Sequence, residues 1–133
     1  MKGQSYVETL LVLPILLLLI TGIIWFGQLA YAKLATEAAA WSGARHAIST
    51  LDPWRGPAQA FTAARYTLSG FGLNPDSARL RLTMFGYWRR GTMVRMEVCY
   101  DVPPPPLPYA EVFVPSTICS RQTMPIYRWK SRW

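Results

Sequence analysis

The sequence predicts an α+β chain: one long N-terminal helix, a short second helix, and a small three-stranded antiparallel sheet packed on the first helix. Three observations lead there. No charged side chain occurs from Thr9 to Ala32, an Ala-rich stretch free of proline carries on from Lys33 to Ser49, and beyond Asn74 the apolar period changes from 3.6 to 2. With 133 residues, 51% hydrophobic and 16% charged, the chain is too apolar to be disordered and too short for a large multidomain enzyme.

The uncharged run comes first. As a helix it covers ~36 Å, against roughly 30 Å of bilayer hydrocarbon, so it is long enough to span a membrane. Alanine is a strong helix former, and the rod is expected to continue to about Thr50. From Ser5 to Thr50 it would measure ~69 Å. Its first half suits lipid, and its second half can carry a domain on one face. Leu34, Trp41 and Ile48 recur every seven residues with Ala38 and Ala44 near them, which predicts that face; Lys33, Glu37 and Arg45 point elsewhere. Pro14 removes a backbone hydrogen bond and predicts a kink. Gly22 and Gly27 either permit close helix approach or reflect the frequency of glycine in membrane helices.

Asp52-Pro53-Trp54-Arg55-Gly56-Pro57 ends the rod. Pro57 is expected to open a second helix with Ala58, Phe61, Ala64 and Leu68 at helical spacing, and Gly70 and Gly72 to stop it. Leu80, Leu82 and Met84 then alternate with Arg79, Arg81 and Thr83, predicting a half-buried strand. Val94, Met96, Val98, Tyr100 and Val102 alternate with Arg95, Glu97, Cys99 and Asp101, predicting a second, with Gly86 to Gly91 as the hairpin tip. Pro103 to Pro106 and Pro108 predict an extended polyproline loop. A third strand is expected from Pro115 to Met124, with Ile118 on the apolar parity. Cys99 and Cys119 then share the polar face of adjacent strands. A disulfide there would contribute ~3 kcal/mol, and two free thiols are the alternative.

The first residues carry a resemblance. Met1-Lys2-Gly3 is a short basic leader, followed by Gln4-Ser5-Tyr6-Val7-Glu8 and the apolar run. This resembles the class III signal of type IV pilins and pseudopilins. With Leu13-Pro14 and Gly22-Ile23-Ile24-Trp25-Phe26-Gly27, the segment is similar to the TadE-like family of the tight-adherence (Tad, or Flp type IVb) pilus. Ser120 to Arg128 more loosely resembles that family's closing strand. The resemblance implies a type IV pilin-like fold in three parts: a leader over residues 1–3, a membrane-spanning and amphipathic helix over 4–50, and an extracytoplasmic head over 51–133. It implies cleavage by a prepilin peptidase between Gly3 and Gln4. It also implies a role for Glu8, five residues past the cut, as the charge partner of a neighbouring subunit's new α-amine. The implied partners are that peptidase, other pilins or pseudopilins of the same system, and the inner-membrane assembly platform. The expected role is a minor pilin or pseudopilin taking part in pilus assembly for adhesion or surface colonisation. The N-terminus would be cytoplasmic and the head extracytoplasmic, with incorporation into an extracellular pilus left open. The alternatives are the main structural subunit of a pilin-like filament and a secreted or anchored surface-binding module.

Independent of the resemblance, a carboxylate at the edge of an apolar helix is costly to bury unpaired, so Glu8 calls for a partner unless it is simply interfacial. The chain has 14 basic and 7 acidic residues, a net +7, and the excess lies beyond the span. Trp88, Arg89 and Arg90 at the hairpin, with Arg128, Lys130 and Arg132 at the end, are candidates for contact with an anionic surface; a solvated basic face is the plain alternative. Nucleic acid is not an expected partner. Ala30-Tyr31-Ala32 would also suit signal-peptide cleavage, although the apolar run exceeds the usual length. His46 is the only histidine, and no nucleophile arrangement, phosphate loop, carboxylate pair or metal-ligand spacing accompanies it. No catalytic residue, cofactor or metal is expected.

Overall fold

A computed structural model describes residues 2–105 and 117–127, with side chains from Tyr6 onward. Helix α1 spans Lys2–Ala47, helix α2 Arg55–Gly70, and a 3-10 turn over Pro75–Ser77 leads into strands β1 (Ala78–Met84), β2 (Met93–Asp101) and β3 (Thr117–Pro125). The strands form one antiparallel sheet in the order β1-β2-β3. The second half of α1 packs on α2 and on β2 and β3, so both helices cover one face of the sheet. The other face carries the charged residues.

The apolar period is where the strands come from. Val94, Met96 and Val98 are fully buried on the inner face of β2, Leu80 and Leu82 of β1 pack beside them, and Ser120 and Met124 continue that face on β3. The intervening Arg79, Arg81, Cys119, Arg121 and Thr123 are exposed. Strand parity therefore follows the alternation in the sequence, as expected where one sheet face is buried. Cys99 and Cys119 are direct cross-strand partners and form a disulfide. β3 starts at Thr117 rather than Pro115, and residues 115 and 116 lie outside the described residues. Val102–Pro105 have no regular structure, while Pro106 and Pro108 also lie outside them.

Of the predicted face, Ala44 and Ile48 are buried, but Leu34 and Trp41 are not. Ala35, Ala39, Ala40, Ala44 and Ala47 are completely buried, whereas Leu34 is 58% and Trp41 47% exposed. The cause is proximity. A methyl on Gly43 would sit 3.1 Å from the Ala60 carbonyl oxygen and 3.1 Å from Met96 Cγ, so only small side chains fit between α1, α2 and β2. Close packing at native density selected the alanines, and the large residues were left outside.

Helix α2 also begins earlier than Pro57. The Asp52 carboxylate accepts from the Trp54 amide at 2.9 Å and from that of Arg55 at 3.4 Å, satisfying amides at the helix start. The buried face is Gly56, Ala60, Ala64 and Leu68, so Ala58 points outward. At the other end Gly72 adopts φ 72°, the Gly72 amide donates to Ser69 and the Leu73 amide to Leu68, a Schellman stop. Leu73 thereby returns to the core beside Leu68. Helix α1 ends at Ala47, three residues before the predicted limit, and its helical assignment runs through Pro14 without a break.

Candidate functional site

Among the described residues, none packs around the first half of α1 from Tyr6 onward. Every residue from Tyr6 to Ile20 is exposed, with Leu10 at 73%. The helix is long and apolar enough to cross a membrane by length and composition, and it fits a single-pass membrane protein. Glu8 lies near the start of this rod, beside a shallow groove of about 460 Å³ shared with Thr9, Val12, Leu13 and Leu16. Among the described residues no cation pairs with Glu8. Gly3 and Gln4 fall in the first turns of α1, and their side chains lie outside the described ones. Around Gly22 and Gly27 an added methyl would meet nothing within 4 Å. The single chain makes no packing use of either glycine.

Where the uncharged run ends, a polar junction ties α1 to β3. The Lys33 ammonium donates to the Ser120 hydroxyl and to the Cys119 carbonyl, both at 3.0 Å, and lies 3.4 Å from Glu37. The Thr36 hydroxyl, fully buried, donates to the Lys33 carbonyl at 2.9 Å and shares a 2.9 Å hydrogen bond with Ser120. Tyr31 completes this level: its hydroxyl donates to the Phe71 carbonyl at 2.9 Å, and the two rings meet edge to face. Those to Ser120, Cys119 and Phe71 join residues about forty to ninety positions apart. A lysine three residues before a threonine on a helix hinted at nothing of the kind, and no local signal in the sequence marks Ser120 as their partner.

At the opposite end of the head the predicted surface cluster divides. Trp88 turns inward, packs against the second core cluster with Ala47, Ala60 and Ile126, and donates its indole N–H to the Thr50 carbonyl at 3.1 Å. Arg89 and Arg90 stay exposed. Arg128, Lys130 and Arg132 lie outside the described residues.

On the outer sheet face Arg121 pairs with Glu97 at 3.0 Å and Arg79 with Asp101 at 3.0 Å. The Thr117 hydroxyl donates to Asp101 at 2.6 Å. That hydrogen bond, against a lesser opposing effect of desolvation and with help from Arg79, holds the Asp101 carboxyl below its ordinary value. Glu97, Cys99 and Cys119 bring three potential ligand atoms together, but the disulfide uses both sulfurs. His46 lines an open groove of about 810 Å³ between α1 and α2 with Ser42, Ser49, Gln59, Thr62 and Tyr66. Its Nδ1 lies 2.9 Å from the Ser42 carbonyl, a hydrogen bond within the helix.

A long apolar N-terminal helix, half exposed and half packed under a small antiparallel sheet and a second helix, is a pilin-like α+β fold. Residues 3–45 match the family model described as TadE-like protein, so α1 of this chain is a TadE-like segment almost from end to end. The match falls on α1 alone and leaves α2 and the sheet uncovered. No curated protein and no solved structure matched the chain.

Proposed function

We propose that the protein is a minor pilin or pseudopilin that takes part in assembling a Tad pilus. The coincidence of two features carries the reading: the TadE-like match lies on the same helix whose residues Tyr6 to Ile20 are all exposed among the described residues. A bare apolar rod needs lipid or other helices around it. Glu8, at its edge and without a cation among the described residues, is then suited to the α-amine that cleavage between Gly3 and Gln4 would create on a neighbouring subunit. Gly22 and Gly27, open on the rod, are suited to close approach of that neighbour's helix. The disulfide favours an oxidising compartment for the head, hence a cytoplasmic N-terminus and insertion in the inner membrane. The reading assigns no catalytic step; its partners are the prepilin peptidase, other pilin-like subunits and the assembly platform.

The test combines mass spectrometry of the membrane-inserted protein with a Glu8→Ala variant. An N-terminus at Gln4, and a variant that stays in the membrane while pilus assembly falls, are the expected results. An N-terminus at Lys33, or normal piliation by Glu8→Ala, would overturn the reading.

A further inference from the structure

The β1–β2 hairpin collects cations and exposed apolar side chains around its tip. Between Asp76 and Glu97 the sequence holds Arg79, Arg81, Arg89, Arg90 and Arg95 and no acidic residue. Only Arg79 of these has a carboxylate partner among the described residues, and Glu97 of β2, which stands opposite Arg81, is paired with Arg121. Among these cations stand Phe85 and Tyr87, 52% and 80% exposed, with Met84 and Met93 at 40% and 47%. Two guanidinium groups are laid over rings: Arg95 over Phe85 at 4.8 Å and Arg89 over Tyr87 at 5.6 Å. Arg95 spends its Nε–H on the Thr123 hydroxyl at 3.3 Å, whereas Arg89 is exposed and its stacking leaves the in-plane N–H donors open, the arrangement suited to phosphate oxygens.

The position of the hairpin is fixed by Trp88, whose indole holds it beside Thr50. From Ala32, where the uncharged run ends, α1 rises ~22 Å to Ala47. The hairpin therefore stands at the far end of the head from the bilayer that α1 would span. A soluble polyuronate would pair with the arginines but gain nothing from the rings and methionines, and a single-stranded nucleic acid, though it could stack on the rings, would gain nothing from the methionines. A lipid surface takes both: rings and methionines enter the headgroup layer while the arginines bind its phosphates.

We infer that the β1–β2 hairpin, through Arg89, Arg90, Phe85 and Tyr87, docks on an anionic lipid leaflet other than the one α1 crosses. This rests on α1 crossing a bilayer. The full chain is incorporated into phosphatidylcholine nanodiscs and floated with separate vesicles of phosphatidylcholine containing phosphatidylglycerol. Failure to enter the nanodiscs would count against the span, a result distinct from loaded nanodiscs that ignore the vesicles.

Co-flotation with the anionic vesicles, absent with pure phosphatidylcholine and weakened by salt, is expected. Each arginine near such a surface contributes about fivefold, so Arg89→Gln with Arg90→Gln should weaken binding about thirtyfold. The Arg89→Lys, Arg90→Lys pair should retain most of it. Tyr87→Ser, at a ring whose recorded contact is Arg89, should weaken binding several-fold with the head still folded. Loaded nanodiscs that fail to bind the vesicles, binding unaffected by either set of changes, or capture of DNA or a polyuronate in place of vesicles would overturn the proposal.

Discussion

The Lys33 ammonium and the Ser120 hydroxyl meet at 3.0 Å, joining α1 to β3 at the level where the uncharged run of the helix gives out. The lysine thus serves the head as well as marking the end of the span. Its three donors are aimed at Ser120, Cys119 and Glu37, so little of its charge is left unsatisfied.

Lys33→Met should keep the stem packed and remove the donors. Ser120 keeps its hydrogen bond to Thr36, so no buried hydroxyl is orphaned, and the side chain is already about half exposed. The expected loss is about 1 kcal/mol, measured as the denaturant midpoint of the full chain in detergent micelles. No change in midpoint would mean the ammonium is solvated instead of tied to the sheet.

Gly56→Ala tests the other end of the head. A methyl there would collide with the six-membered ring of Trp88, and the backbone carbonyl of Ala47 lies 3.2 Å away on the other side. Helix α2 has no room to retreat, so the indole must leave and give up its hydrogen bond to Thr50. Overpacking of this kind costs about 1–3 kcal/mol. In an NMR spectrum of indole N–H groups the Trp88 signal should shift or broaden while those of the other tryptophans stay in place.

These two contacts show what a linear reading can and cannot reach. Strand alternation is local, so the inward set of Leu80, Leu82, Val94, Met96, Val98 and Ile118 could be read from the sequence, and with it the facing of Cys99 and Cys119. The buried face of α1 could not be found by looking for large residues. Leu34 and Trp41 make the more conspicuous repeat, yet the distance between α1, α2 and β2 admits only alanine, threonine and glycine. The small residues Ala32, Ala35, Thr36, Ala39, Ala40, Gly43, Ala44 and Ala47 carried the better signal, an unbroken stripe at i, i+3 and i+4. For the functional segment the opposite holds. The apolar rod is legible because its chemistry needs no tertiary context, whereas the inward turn of Trp88, away from Arg89 and Arg90, is not, because its docking site on Gly56 is remote in sequence.

The disulfide between Cys99 and Cys119 closes a separation of 20 residues and fastens edge strand β3 to central strand β2. Since β3 also carries Ser120, the bond secures the attachment of α1. Replacing both cysteines by serine should cost about 3 kcal/mol. The same loss should follow reduction of the unaltered protein, read as a lower denaturant midpoint with dithiothreitol, and the serine variant should no longer respond to the reductant. Equal midpoints with and without reductant in the unaltered protein would refute a stabilising bond.

Asp101 ends β2, and two donors from other strands converge on it: the Thr117 hydroxyl at 2.6 Å and the Arg79 guanidinium at 3.0 Å. The hydroxyl is the larger cause of its lowered pKa. Because the folded value lies below the unfolded one, the resulting stabilisation is present above the unfolded pKa and is lost as pH falls through the folded value. At neutral pH the contribution is intact, and acidification below about pH 4 removes it. Thr117→Val deletes the hydroxyl and keeps the β-branched shape, so the Asp101 carboxyl should titrate at higher pH. A carbon-13 NMR titration of that carboxyl measures the change directly. An unchanged midpoint in Thr117→Val would assign the shift to Arg79 instead, and Arg79→Gln would then be the variant that raises it.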